Sequence, residues 1–117
     1  MDKFVVSKKV QDVNVLSFYF NEINLEQREQ LKKELSEQLK TGQTQFIIDL
    51  SKVGFVSSLV VATIVFFSKE VRSNNGTVKL SGLSGEAFSV FKLTQLDKIF
   101  ELYETERDAL ESFKRSL

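Results

Sequence analysis

Nine consecutive residues at positions 59–67, LVVATIVFF, contain one polar side chain, Thr63, and follow directly on two serines, Ser57 and Ser58. Few structures accommodate such a run in water. It is far too short to cross a bilayer as a helix, which takes about 20 apolar residues. It is also too evenly apolar for a helix with one face in solvent, which shows polar residues there. The chain has 117 residues and 42% hydrophobic content, enough to build the core of one compact domain, and a single domain over 1–117 is expected. Proline is absent, and neither a Ser/Gly-rich linker nor an internal repeat divides the chain.

Composition excludes several functions. Sixteen basic and sixteen acidic residues balance to a net charge of zero, so no strong field steers nucleic acid or an anionic membrane. The basic pairs Lys8-Lys9, Lys32-Lys33 and Lys114-Arg115 read as solvated patches. There is no cysteine and no histidine. Disulfides, thiol catalysis, Cys/His zinc sites, histidine general bases and phosphohistidine relays are therefore excluded. No EF-hand-like spacing of carboxylates occurs, and neither a metal nor a cofactor is expected. The N-terminal MDKFVVSKKV lacks the apolar core of a signal peptide, so a cytoplasmic protein without membrane insertion is expected.

Periodicity predicts the elements. Residues 4–9 and 13–20 are β-branched and aromatic and read as strands joined by a short turn. NLEQREQLKKELSEQLK reads as a helix capped by Asn24, with Gln27 at the capping-box position, a Glu29–Lys33 surface pair and Gly42 as the stop. QFIIDL (45–50) has the continuous apolar character of a central strand. A helix over 58–73 follows and ends at NNG; TVKLSG is a strand, and SGEAFSVFKLT is a short helix capped by Ser84. KIFELY (98–103) reads as the last strand, and TERDALESFKRSL as a helix with Thr105 as cap and Asp108 at the capping-box position. The order ββαβαβαβα defines an α/β sandwich, a small mixed sheet with four helices.

In the 58–73 helix, Val61, Ile64, Val65, Ser68 and Val71 share a face that is expected to pack on the sheet. Val60, Thr63 and Phe67 then form an outer stripe. Either another part of the domain covers that stripe, or its residues are singly exposed, or it is a surface for a partner or a second copy. The serines also have two readings. A serine before a helix is an effective N-cap, worth about 1 kcal/mol. The cap is the commoner role of such a pair; the functional alternative is a phosphoacceptor, because the helix dipole tolerates the roughly −1.5 to −2 charges of a phosphate. Two further features are noted. SGLSGEAF (81–88) places Gly82 and Gly85 before a helix, as an anion cradle or simply a loop and cap. Asp49 ends the central strand, where it lines the serine site or bonds to loop N–H groups.

The stretch FIIDLSKVGFVSSLVVATIVFFSKEVRSNNGTVKLSGLS, with FKLTQLDKIFELYETERDAL near the C-terminus, resembles the STAS domain of bacterial anti-sigma-factor antagonists. That family carries a strand ending in a DL step, then F-[IM]-D-S-S-G-L-G opening a helix, and later L-x-L-T-G-L. The resemblance runs from about Phe46 to Leu110. It implies a protein-binding regulator and no enzyme. The unphosphorylated antagonist binds an anti-sigma factor, itself a serine kinase of histidine-kinase-like ATPase fold. Phosphorylation of one serine ends binding, and a serine phosphatase resets it. Carried onto this sequence, the phosphoacceptor is Ser58, with Ser57 the next candidate and Thr63 a third. The partner surface comprises Ser57, Ser58, Leu59, Val60, Thr63 and Phe67, and a homodimer through the same helix is a further expectation.

The sequence departs from the motif at defined points. The motif's aspartate is Ser57, its second serine is Leu59, its glycines are Val60 and Ala62, and Thr-Gly-Leu is Thr94-Gln95-Leu96. Bulk at Val60 is expected to stand where a kinase approaches. Two functions follow: an antagonist switched by phosphorylation, or a non-phosphorylated STAS subunit that binds constitutively within a larger assembly.

Overall fold

The computed structural model describes residues 3–115. Five strands form one mixed sheet in the order β1-β2-β3-β4-β5, with β1 (Val5–Val10) antiparallel to β2 (Val13–Phe18). The strands β3 (Gln45–Asp49), β4 (Thr77–Ser81) and β5 (Leu102–Tyr103) then add in parallel. The connecting helices are α1 (Leu25–Leu39), α2 (Ser58–Ser73) and α3 (Gly85–Leu93), and α4 (Glu106–Arg115) follows β5. The expected order ββαβαβαβα is observed.

Topology follows from handedness. Parallel crossovers are right-handed, and here each one steps in the same direction across the sheet. All three crossover helices therefore lie on one face. Leu16, Phe18, Phe46, Ile48 and Leu80 of the sheet meet Leu31, Leu35, Ile64, Phe67 and Phe91 there. The alternate residues Val13, Val15 and Ile47 point the other way and are covered by Ala109 and Phe113 of α4. That second layer also holds a buried lysine. Lys79 donates to Ser112 Oγ at 2.8 Å, lies 4.1 Å from the Phe113 ring centroid and stands 3.5 Å from Glu101. Lys8 pairs with Glu106 at 2.8 Å, tying β1 to the first turn of α4. The Glu106 carboxylate, by hydrogen bond and then by charge, holds the exposed Lys8 ammonium above the usual lysine value.

The caps are those the residues predict. Asn24 and Gln27 form a reciprocal capping box at 2.8 and 3.0 Å, Ser84 Oγ accepts from Ala87 N–H, and Thr105 Oγ1 accepts from Asp108 N–H. Glu29 differs: it pairs with Arg28 and, at 4.0 Å, with Lys32 rather than Lys33. The last strand is also shorter than KIFELY. Gln95 adopts a left-handed φ of 62°, Leu96–Lys98 winds into a 3-10 turn, and only Leu102–Tyr103 pairs with β4.

Glu34 of α1 is a buried carboxylate that accepts from Phe4 N–H, Val5 N–H (2.9 Å) and Gln30 Nε2. It secures the start of the edge strand to the helix layer. Glu34→Ala leaves two backbone donors without their acceptor, and the expected loss is about 2–3 kcal/mol in urea unfolding. Glu34→Gln keeps an acceptor oxygen and is expected to lose distinctly less.

Candidate functional site at the start of helix α2

The loop from β3 to α2 is held from beneath. Gly54 N–H donates to Phe20 O and Phe55 N–H to Asn21 O at 2.7 Å, while Val53 forms a bridge with Phe20. A methyl group at Gly54 would displace the Asn21 side chain and crowd the Asn21 carbonyl oxygen. The loop therefore presents Phe55, 51% exposed, from a fixed backbone.

The two serines divide their labour. Ser57 is the N-cap, with φ −80° and ψ 172°, and its Oγ accepts from Val60 N–H at 3.4 Å, a long bond. Ser58 is the first helical residue and is exposed. Among the described residues its hydroxyl has no hydrogen-bond partner. First-turn amides of a helix have no intrahelical acceptor, so positive potential accompanies that hydroxyl. Thr63 is different: it is buried, and its Oγ1 donates to Leu59 O at 2.7 Å.

Helix α2 is turned from the expected orientation. Val60 (0% exposed), Thr63 and Phe67 (2%) are buried, together with Ile64, Ser68 and Val71. Phe67 meets the edge of Phe46 at 5.2 Å, and a groove shared by Leu35, Thr63 and Phe67 marks where α1 lies alongside. The domain itself covers the supposed outer stripe. Val60, Thr63 and Phe67 are thus unavailable to a partner or to a second copy, and Thr63 is removed as a phosphoacceptor. Val61 and Val65 are only half-buried, as is Leu59. The true outer stripe is Ser58, Ala62, Phe66 and Lys69. The bulk introduced at Val60 points into the core, and the surface position beside Ser58 is the small Ala62.

Asp49 neither reaches the serine pair nor bonds loop amides. It accepts from Ser51 Oγ at 2.6 Å and from Ser81 Oγ at 2.9 Å. Gly82, with φ 75°, packs so closely on Asp49 and Ser51 that a Cβ would collide with both. The SGLSGEAF segment is a turn and cap. Its Ala87 amide is taken by Ser84, and the acidic Glu86 stands in the first turn of α3. A phosphate would be repelled there. Among the described residues no group of three or more carboxylates is placed to hold a metal, and no helix is long and apolar enough to cross a membrane.

A ladder of parallel βαβ units with one layer on each sheet face is the fold also found in a solved STAS domain protein from Planctomyces limnophilus, at a TM-score of 0.82 and 23% identity over 92% of this chain and 96% of that one. The STAS domain family model matches residues 6–109, and the chain belongs to that family. A crystal structure described as that of a candidate anti-sigma factor antagonist from Thermotoga maritima superposes with a TM-score of 0.83 at 29% identity, covering 92% of each chain. The Bordetella bronchiseptica protein BtrV, also named a candidate anti-sigma factor antagonist, is 26% identical over 95 residues, covering 81% of this chain and 82% of its own length. SpoIIAA of Bacillus, in its phosphorylated form, shares the fold with a TM-score of 0.71 at 20% identity, covering 93% and 98% of the two chains.

Proposed function

We propose that this chain is an anti-sigma-factor antagonist. In this reading it captures an anti-sigma serine kinase of histidine-kinase-like ATPase fold through the start of α2, and phosphorylation of Ser58 releases it. A serine phosphatase restores the binding form. One observation carries the reading: the capping task falls to Ser57, which leaves the Ser58 hydroxyl exposed and unengaged at a helix N-terminus. Phosphate on that oxygen meets the positive end of α2 and costs the fold little. The partner, packed over the same oxygen, meets a dianion it has no room to solvate. The relatives named as anti-sigma factor antagonists support the same assignment.

Ser57 in place of the motif's aspartate favours a second reading, constitutive binding within a larger assembly without phosphorylation. Phosphate mapping separates the two. Incubation with ATP and the anti-sigma kinases encoded in the same genome, followed by mass spectrometry, is expected to place one phosphate on Ser58 and none on the Ser58→Ala variant. An unmodified Ser58 in a stable complex supports the constitutive reading instead.

A further inference from the structure

A cleft of about 350 Å³ opens beside the start of the Ser58 helix, at the carboxyl ends of β3 and β4. Val53, Val56, Leu83 and Val90 contribute apolar wall, and the exposed carboxylates of Glu86 and Glu104 contribute charge. No basic side chain lines it, and among the described residues neither glutamate has an ion-pair partner. We infer that this cleft is the anchor point for a segment of the partner protein that carries an arginine next to an apolar residue.

Three observations fit that occupant. The walls accept an apolar side chain and the two free carboxylates accept a guanidinium, which pairs with carboxylates through two parallel bonds. An anion is disfavoured by the same charges. Finally, the cleft adjoins the proposed phosphorylation site along the chain: Phe55 and Val56 line it, and Val56 directly precedes the Ser57 cap. A partner seated over Ser58 has the cleft-lining Val56 and Phe55 two and three residues away along the chain. The inference rests on the antagonist reading for the partner's identity, whereas the chemistry of the cleft is independent of it.

The test therefore has two arms. In the first, the amide spectrum of the whole chain is titrated with the dipeptides Ac-Leu-Arg-NH2 and Ac-Leu-Glu-NH2. The arginine peptide is expected to shift Gly54, Gly82 and Ala87 saturably, and Glu86→Gln with Glu104→Gln to weaken it about tenfold, equivalent to 1.4 kcal/mol. The acidic peptide is expected to leave those amides in place. Equal shifts by both peptides, by inorganic phosphate, or by raising the protein concentration alone overturn the inference, as does the absence of any saturable shift. In the second arm, affinity for the purified anti-sigma kinase is measured for the double glutamine variant and for Ser58→Asp. Loss with Ser58→Asp but not with the double variant removes the cleft and keeps the antagonist reading. A cleft that takes the arginine peptide while no kinase binds the wild-type chain does the reverse.

Discussion

Phe67→Glu is expected to abolish folding, while Phe66→Glu, at the next position, is expected to melt close to wild type. Phe67 is 2% exposed and its ring meets Phe46 of the central strand, with Leu35 of α1 close by. Truncating such a phenylalanine costs about 3–5 kcal/mol, and a carboxylate in its place adds the penalty of an unpaired buried charge. A domain of this size holds only about 5–15 kcal/mol in total. Phe66 is 56% exposed, with Lys32 lying 5.6 Å from its ring centroid. A glutamate there loses that cation–π contact and gains an ion pair with the same lysine. Surface exchanges of this kind stay within about 0.5 kcal/mol. Circular dichroism melts of the two variants decide the orientation of α2. A folded Phe67→Glu protein would restore the outward stripe of Val60, Thr63 and Phe67.

The reason that orientation could not be read from the pattern is physical. Helix α2 lies against both the sheet and α1, so apolar residues occupy more than half of its circumference. Val61 and Val65 share a plausible stripe with Ile64, and hydrophobicity does not rank them against Val60 and Phe67. Polar signals were better guides. Asn24 with Gln27, Ser84 and Thr105 each fixed a helix start, because a cap is a local hydrogen bond that needs no tertiary knowledge. The continuous apolar run of Phe46 to Ile48 identified the strand buried on both faces. Three details depended on the assembled fold. The left-handed Gln95, standing where the family motif has glycine, turns the chain early and leaves β5 only two residues long. Asp49 found its hydroxyl partners on a neighbouring strand and loop, and the β3–β4 cleft arises from loops far apart in sequence. The serine pair lay between these cases. Its position before a helix was legible, but which hydroxyl caps is decided by a single turn of backbone.

That single turn makes Ser58→Asp the most informative change for function. Aspartate at the first helical position meets the positive end of the dipole, so stability is expected within about 0.5 kcal/mol of wild type. Under the proposed antagonist reading, affinity for the anti-sigma kinase is expected to fall about hundredfold, a loss of about 2.7 kcal/mol, because a fixed negative charge then faces the partner over Ser58. Ser57→Ala supplies the opposite signature. It removes the cap and is expected to cost up to about 1 kcal/mol of stability, with the long 3.4 Å bond placing it toward the lower end, and to leave affinity nearly intact. Calorimetric titration together with a urea melt on each variant reads both quantities. If the two serines exchange roles, with Ser57→Ala losing the partner and Ser58→Asp losing stability, the cap and the acceptor have been assigned the wrong way round. If Ser58→Asp binds as wild type does, α2 carries no charge-sensitive contact and binding is constitutive. A drop in affinity confined to Ser58→Asp ties the switch to the one hydroxyl that the helix itself does not use.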